Sequence, residues 1–276
     1  MCHHCVVESV KRRMLSRRDV FRTGVAGVAA AAVGTAATAA SAPPALAAGV
    51  ARIQDMTHEL HHDFPTYFGE PQFDYEQKFS FDKNGFNLGV VTVNEHTGTH
   101  LDAPLHFSKD GQAVNEVPIE NLVVPLAIID IREKAAGNAD AQVTPDDVKA
   151  WIAKNGPLPE KCCVAMNSGW DKHAASDKFR NVGDDKKMHF PGFHVEAAKM
   201  LMEESSAVGM AVDSLSLDFG LSGDFATHYA WLPTNRWGLE CIANLDRLPA
   251  NGATLVVGAP KHRGGSGGPC RVIAMM

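Results

Sequence analysis

The sequence predicts a single domain of mixed α/β structure. Short apolar runs rich in β-branched residues recur along the chain, whereas only two segments carry the periodicity and the end signals of helices. Residues 48–276 contain no internal repeat and no low-complexity linker, and a domain of this length buries a sizeable hydrophobic core. Because strands outnumber helices, we expect a mixed sheet rather than a regular array of βαβ units.

The first segment of the chain has the features of an export signal. The pair Arg17-Arg18 precedes an uncharged run over residues 24–48 that consists mostly of Ala, Gly and Val, with the small-residue site Ala45-Leu46-Ala47 near its end. These features predict a twin-arginine signal peptide over residues 1–47, removed on export to the periplasm. A membrane anchor is the alternative, and it is disfavoured because two prolines end the run and Ala and Gly contribute little transfer free energy.

The charge and the cysteines of the chain limit its partners and its chemistry. Lys and Arg number 26 against 32 Asp and Glu, a net charge of −6, and no basic block stands in residues 48–276. We therefore expect no nucleic-acid partner and no membrane contact after signal removal. The four cysteines left after cleavage are expected to be buried free thiols, because a chain of this length needs no disulfide framework.

Six strands and two helices can be placed from the sequence. Strand-like runs lie at residues 88–93, 126–131, 163–166, 210–215, 254–257 and 271–274. The first helix is marked by Thr144 as N-cap, Pro145 at the first position and two acids in the first turn, and it ends before Asn155-Gly156-Pro157. The second runs over about residues 195–205, where apolar side chains recur at helical spacing.

The densest group of potential metal ligands is His96, His100, Asp102 and His106. Their offsets of 0, 4, 6 and 10 would scatter them around a helix, but every offset is even, so an extended chain projects all four to one side. Gly98 and Pro104 also favour an extended segment, which we expect at a sheet edge or in a loop.

Two imidazoles and one carboxylate suit a divalent ion such as Zn²⁺ or Mn²⁺. Three protein ligands leave a coordination position open for water, which is typical of catalytic rather than structural sites. His106 could join the same ion or hold a second one bridged by Asp102. The alternative is that these histidines are ordinary polar residues.

The glycine-rich stretch 264–268 precedes no helix and carries no phosphate-binding pattern, so it is interpreted as a flexible turn before the last strand.

The pattern His-x-Gly-Thr-His-x-Asp-x-Pro-x-His resembles the signature of the metal-dependent cyclase-like hydrolases, a family that includes kynurenine formamidase and isatin hydrolase. The resemblance extends over residues 55–57, 190–193 and 212–218 to His228 and Glu240. It implies a swivelling β/β/α fold that forms homodimers or higher homo-oligomers. It also implies that His96, His100 and Asp102 bind a first ion, and that His106 and Glu240 complete a second with Asp102 shared.

The resemblance further implies that His228 is the catalytic acid and base in hydrolysis of a carbon–nitrogen bond of an amide, formamide or cyclic amide by metal-activated water. Tyr67, Phe68 and Trp170 are candidates for an aromatic pocket that binds a small-molecule substrate. Two other interpretations stay open. One is a lactone hydrolase, lyase or cyclase that uses the same ions, and the other is a non-catalytic periplasmic metal-binding protein.

Overall fold

The structure is a computed structural model that describes residues 50–276. The expected signal peptide lies outside the described residues. The described part separates into a small unit, Tyr75–Val91, and a large one that comprises residues 50–74 and Thr92–Met276. The small unit contains most of strands β2 (Phe73–Phe79) and β3 (Leu88–Val93), which pair as a two-stranded sheet, and the short helix α1 (Phe81–Asn84) between them.

The large unit is built on a nine-stranded mixed sheet. The strands are β1 (Ile53–Asp55), β4 (His100–Asp102), β5 (Val123–Asp130), β7 (Cys163–Asn167), β9 (Gly209–Val212), β10 (Trp237–Glu240), β11 (Ala253–Gly258), β12 (Gly267–Pro269) and β13 (Arg271–Met275). Their order in the sheet is β1-β13-β11-β5-β7-β9-β10-β4-β12. The pairs β5–β7, β7–β9 and β9–β10 are parallel, and the remaining pairs are antiparallel. Strands β6 (Gln142–Val143) and β8 (Gly192–Phe193) form a separate parallel pair.

Both faces of this sheet are covered by apolar side chains. Alternate residues of β5 enter two different clusters, with Ala127 and Ile129 in one and Leu126 and Ile128 in the other. The first cluster also receives the helices α2 (Arg132–Gly137), α3 (Pro145–Asn155), α4 (Val195–Glu204) and α5 (Ala226–Trp231). This double burial explains why the central strands read as continuous apolar runs in the sequence.

The mixed α/β class expected from the sequence is confirmed, and the predicted strands and helices are present. Helix α3 begins where its cap predicts, and Asp147 Oδ2 accepts a hydrogen bond from the backbone N of Thr144 at 2.7 Å. The predicted strand at 210–215 ends earlier, at Val212, because the chain then leaves the sheet. The four described cysteines are free and buried, as expected. Among the described helices, none has the length and apolar character needed to cross a bilayer.

Candidate metal centre

Three of the predicted ligands lie side by side on two neighbouring strands. In the antiparallel pairing of β4 with β10, His100 is opposite Glu240 and Asp102 is opposite Gly238. On its other side Asp102 is opposite Gly267 of β12. Because residues two apart on a strand share a face, His100, Asp102 and Glu240 point to the same side of the sheet. The two glycines that flank Asp102 leave space for this side chain and its partners.

His96 and His106 reach the same place from outside the strand. His96 lies in the loop before β4, where Gly98 has a left-handed backbone (φ 65°). His106 lies in the short 3₁₀ helix Pro104–Phe107. Their rings stack with centroids 3.7 Å apart. The side chains are therefore close together in space, although the chain that carries them is not one extended ribbon.

The expectation that the whole segment is extended was wrong, and the segment is not at a sheet edge, although its first part lies in a loop, which was the other expected position. Only residues 100–102 form a strand, and this strand is paired on both sides, with β12 at the edge. Pro104 does not mark an exposed strand, because it occupies the first turn of the 3₁₀ helix, where a missing backbone N–H costs no hydrogen bond. Even spacing predicted the common face correctly for His100 and Asp102 alone.

The ligand atoms form two groups that share Asp102. One group contains His96, Asp102 and His106, and the other contains His100, Asp102 and Glu240, and within each group the ligand atoms lie within 4.8 Å of one another. The arrangement thus differs from the set implied by the resemblance, in which His96 and His100 hold the same ion. Asp102 is the common member in both descriptions, as expected for a bridging carboxylate.

Two buried polar atoms in this cluster have no hydrogen-bond partner, Nε2 of His100 and Oδ2 of Asp102. His100 donates from Nδ1 to the carbonyl oxygen of Gly98 at 2.8 Å, so Nε2 carries the lone pair whenever the ring is neutral. Nε2 faces Asp102 Oδ1 at 3.3 Å and Glu240 Oε2 at 3.4 Å. Buried polar atoms without partners are costly unless a ligand satisfies them. Together with the imidazole and carboxylate donor set, these atoms fit a divalent cation.

Charges within the cluster shift its pKa values strongly. Burial acts to raise the pKa of Asp102, but the neighbouring His100, His228 and His96 outweigh it and hold that pKa well below its usual value. Burial acts to lower the pKa of His100, yet Asp102 and Glu240 raise it to about 9. Burial lowers the pKa of His106 to about 4. The carboxylate is thus ionised and the ring of His106 is neutral at pH 7, which are the forms that bind metals.

His228 lies beside the cluster and is oriented by a second carboxylate. It belongs to α5, and its Nδ1 donates to Asp218 Oδ2 at 2.6 Å. Its Nε2 faces Glu240 Oε1 at 3.1 Å and Asp102 Oδ2 at 3.5 Å. Burial acts to lower the pKa of His228, but Asp102, Asp218 and Glu240 raise it well above the usual value. The ring is therefore held in place at one nitrogen, and its other nitrogen faces the metal ligands.

A cavity of about 370 Å³ opens over the cluster. Its wall contains Tyr67, Phe68, Phe107 and Phe225. Its floor contains four of the predicted ligands and the predicted acid and base, namely His96, His100, His106, Glu240 and His228. Phe107 lies over the ring of His228 with centroids 4.6 Å apart. None of the described residues that line the cavity is Lys or Arg. The site is therefore an aromatic pocket with histidines and the carboxylate of Glu240 at its base.

Trp170 does not line this cavity, in contrast to the expectation from the sequence. Its side chain is buried with Phe64, Phe179 and Phe190, and its ring nitrogen donates to the carbonyl oxygen of Phe179 at 2.9 Å. Trp170 is thus part of a core cluster and not of the pocket. Tyr67 and Phe68 do line the cavity, as expected.

Several residues of the site were not assigned from the sequence. Asp218 was quoted only as part of a matched segment, and Phe107 directly follows the His106 motif. Phe225 has a left-handed backbone (φ 50°) just before α5, which turns its ring toward Tyr67 and Phe107. Asp218, ten residues before His228, could have been suspected as a partner because catalytic and metal-binding histidines usually have a carboxylate partner.

Comparison with known proteins identifies the family. The chain matches the cyclase family, described as "Putative cyclase", over residues 54–219. Isatin hydrolase of Roseibium aggregatum is 31% identical over 84% of this chain and 94% of its own length. Kynurenine formamidase of Bacillus mycoides is 41% identical over 28% of this chain and 37% of its own length. The chain therefore belongs to the cyclase family of metal-dependent hydrolases.

A solved structure agrees with this assignment over most of the fold. Isatin hydrolase A from Labrenzia aggregata, bound to benzyl benzoate, superposes with a TM-score of 0.77 at 36% identity, covering 82% of this chain and 93% of that one. The single mixed α/β domain expected from the sequence is thus the family fold. Within the family, the chain is a metal-dependent hydrolase of an amide-type carbon–nitrogen bond.

Proposed function

We propose that the protein hydrolyses a small cyclic amide that carries an aromatic ring, with His228 as the acid and base. The observation that carries this proposal is the convergence of two ligand groups and His228 at the base of one aromatic cavity. Tyr67, Phe68, Phe107 and Phe225 offer ring faces and edges to an aromatic substrate.

The residues that would hold the cation are His96, His100, Asp102, His106 and Glu240. A divalent cation bound there lowers the pKa of water and polarises the carbonyl group of the substrate. Asp102 belongs to both ligand groups, so its carboxylate is the ligand on which one or two ions depend. The donor set of imidazole and carboxylate is compatible with Zn²⁺ and Mn²⁺, and we propose one of these two ions.

His228 transfers the proton in this proposal. Its Nδ1 is held by Asp218, so the nitrogen that faces the cavity is Nε2. Nε2 accepts a proton from the attacking water and delivers it to the leaving nitrogen. Imidazole suits this role because the same ring nitrogen can accept a proton and later release it. Asp218 keeps the ring in the orientation and tautomer that both transfers require.

The experiment is a substrate panel measured in ¹⁸O-labelled water with the wild type and with His228→Ala. The panel contains an aromatic cyclic amide such as isatin, an open-chain aryl formamide and an aromatic lactone. We expect label in the carboxylate product of the cyclic amide, and at least a hundredfold loss of kcat in His228→Ala at unchanged metal content. Full turnover of this variant at neutral pH would exclude His228 as the acid and base.

The same panel separates the other candidate functions. Turnover without incorporation of label indicates elimination or cyclisation, and a preference for the lactone indicates an ester-type substrate. Metal binding without turnover of any compound would favour the non-catalytic metal-binding protein. Each of these results contradicts the proposal in a different way: missing label excludes hydrolysis, a preference for the lactone excludes an amide as the substrate, and missing turnover excludes catalysis.

We also propose that the protein is exported by the twin-arginine route and assembles as a homodimer or a higher homo-oligomer. The first proposal rests on Arg17-Arg18 and the uncharged run that follows them. Replacing both arginines by lysine should retain the protein in the cytoplasm, as measured by cell fractionation. The molar mass of the purified protein, measured by light scattering, tests the assembly, and a monomer at micromolar concentration would contradict it.

A further inference from the structure

A chain of polar side chains connects the second ring nitrogen of His96 to the surface. His96 Nε2 lies 2.9 Å from Ser266 Oγ, and Ser266 Oγ lies 2.6 Å from Glu95 Oε2. The backbone N of Ser266 also donates to Glu95 Oε2 at 3.1 Å. Glu95 Oε1 lies 2.7 Å from Nε2 of the exposed His262. Ser266, Glu95 and His262 have no part in the proposed hydrolysis. Ser266 nevertheless contacts the proposed metal ligand His96 directly, and Glu95 and His262 are connected to His96 through Ser266.

The number of available protons determines the direction of these hydrogen bonds. An ionised carboxylate only accepts, and a serine hydroxyl has one proton to donate. The 2.6 Å separation from Glu95 is typical of a hydroxyl that donates to a carboxylate. Ser266 Oγ is then left as an acceptor, so His96 donates to it from Nε2. An imidazole that keeps its proton on Nε2 has Nδ1 as the nitrogen available to a cation.

Nδ1 of His96 is the ring nitrogen that faces the other ligands. It lies 2.6 Å from Asp102 Oδ1, within the group of ligand atoms formed by His96, Asp102 and His106. Two other histidines of the site, His100 and His228, are held in a similar way. His100 donates from Nδ1 to the carbonyl oxygen of Gly98, and His228 donates from Nδ1 to Asp218. In all three, one nitrogen has an acceptor outside the ligand groups and the other nitrogen faces them.

The glycine-rich stretch makes the approach of Ser266 possible. A Cβ atom at Gly265 would overlap Nε2 of His262 and come within 2.6 Å of Glu95 Oε1. A Cβ atom at Gly267 would overlap the carbonyl oxygen of Leu101 and come within 2.8 Å of Cε1 of His96. The stretch is thus packed against the metal ligand and its partners. Its interpretation as a flexible turn was wrong, since residues 267–269 pair with the strand that carries Asp102.

We propose that Ser266 and Glu95 are positioning residues that keep the proton of His96 on Nε2 and thereby present Nδ1 as the metal ligand. The proposal rests on the metal-binding role given to His96 under the proposed function. Groups that orient a metal-binding histidine typically change metal affinity by about 10- to 100-fold when they are removed. The separation in sequence, 170 residues between His96 and Ser266, explains why the motif alone does not reveal the pair.

The test combines metal affinity with the protonation of His96. Zn²⁺ affinity is measured by competition with a chelator for the wild type, Ser266→Ala and Glu95→Gln. We expect affinity to fall about 10- to 100-fold in both variants. The matched control is Glu116→Gln, because Glu116 accepts from the backbone N of Ala113 at 2.9 Å and belongs to neither ligand group. This control should bind Zn²⁺ like the wild type.

Nuclear magnetic resonance of ¹⁵N-histidine-labelled protein loaded with Zn²⁺ supplies the second readout. The His96 signals, assigned by their loss in His96→Asn, should show a slowly exchanging proton on Nε2 that exchanges faster in Ser266→Ala and Glu95→Gln. A purely structural role would not move this signal in two folded variants, and thermal melting checks folding. A proton on Nδ1 in the wild type, or unchanged exchange and affinity in both variants, would overturn the proposal.

The two readouts also separate this proposal from the proposed function. If His96→Asn binds Zn²⁺ as tightly as the wild type, the metal-binding role of His96 fails, and the positioning proposal fails with it. If the affinity and the Nε2 proton behave as expected but no cyclic amide is hydrolysed, the positioning proposal stands and only the reaction is wrong.

Discussion

Replacing Asp218 by asparagine removes the partner of His228 with little change in volume. Asp218 Oδ2 accepts from Nδ1 of His228 at 2.6 Å and from its backbone N at 3.1 Å. Asp218 Oδ1 accepts from the backbone N of Thr227 at 2.8 Å and from Ser222 Oγ at 3.0 Å. An asparagine can keep the bonds at Oδ1, but its NH₂ group then faces two donors of His228. The ring must rotate or lose its proton from Nδ1.

The magnitude follows from the bond that is lost. A hydrogen bond to a charged group contributes about 1.5–3 kcal/mol. Because about 1.4 kcal/mol corresponds to a tenfold change in rate, we expect kcat/KM to fall about 10- to 150-fold. The pKa of His228 should also fall, since burial is opposed there partly by Asp218. The neutral ring, which accepts the proton of the attacking water, forms as pH rises through the pKa of His228, so the acidic limb of the kcat/KM profile should move to lower pH.

The assay measures kcat/KM against pH for Asp218→Asn together with bound metal. The matched control is Asp224→Asn, because Asp224 accepts from Ser222 Oγ at 3.1 Å and has no bond to His228. The control should keep the activity and the profile of the wild type, and both variants should keep their metal. Wild-type kcat/KM in Asp218→Asn, or a loss of activity that only follows a loss of metal, would refute the orienting role.

Three further predictions concern other parts of the molecule. Burial raises the pKa of Asp213 from 3.8 to about 7. The contribution of Asp213 to the free energy of unfolding is therefore greatest below pH 4, and it falls by about 4 kcal/mol as pH rises from about 4 to above 7. Asp213→Asn should remove this decline in urea titrations at pH 5 and 8, and an unchanged pH dependence would contradict the assignment. Asp102→Asn should lose bound metal entirely, whereas His106→Ala should keep the ion held by the other group, as measured by elemental analysis; equal losses would contradict the two groups. Phe225→Gly should raise KM for an aromatic substrate about 3- to 10-fold, the value of one aromatic contact, with kcat little changed, and an unaltered KM would remove Phe225 from the binding surface.

The sequence predicted those parts of the fold whose signals are local. Thr144 and Pro145 marked the start of α3 correctly, because a helix cap is formed by neighbouring residues. The apolar run at 163–166 is the strand Cys163–Asn167. The separate position of Leu88–Val93, outside the nine-stranded sheet, was not predictable, since an exposed strand and a buried one can share the same β-branched composition.

The candidate site was predictable where the motif and the strand coincide. Even spacing placed His100 and Asp102 on one face because they lie on a real strand. Even spacing was no guide to His96 and His106, whose approach depends on a left-handed glycine and a 3₁₀ helix. Trp170 was misplaced because an aromatic side chain near a matched segment packs in a core as readily as in a pocket.

The amino-acid sequence by itself determined the mixed α/β class, the family, and the residue types that can hold a divalent cation, since composition, periodicity and a dense motif are properties of short stretches. Only the tertiary structure decided how the ligands divide into two groups around Asp102, which carboxylate orients His228, and that Ser266 and Glu95 hold the far side of His96. These contacts join segments up to 170 residues apart. Their geometry is set by strand register and by the close approach that glycines allow, and neither is encoded in any single stretch of the chain.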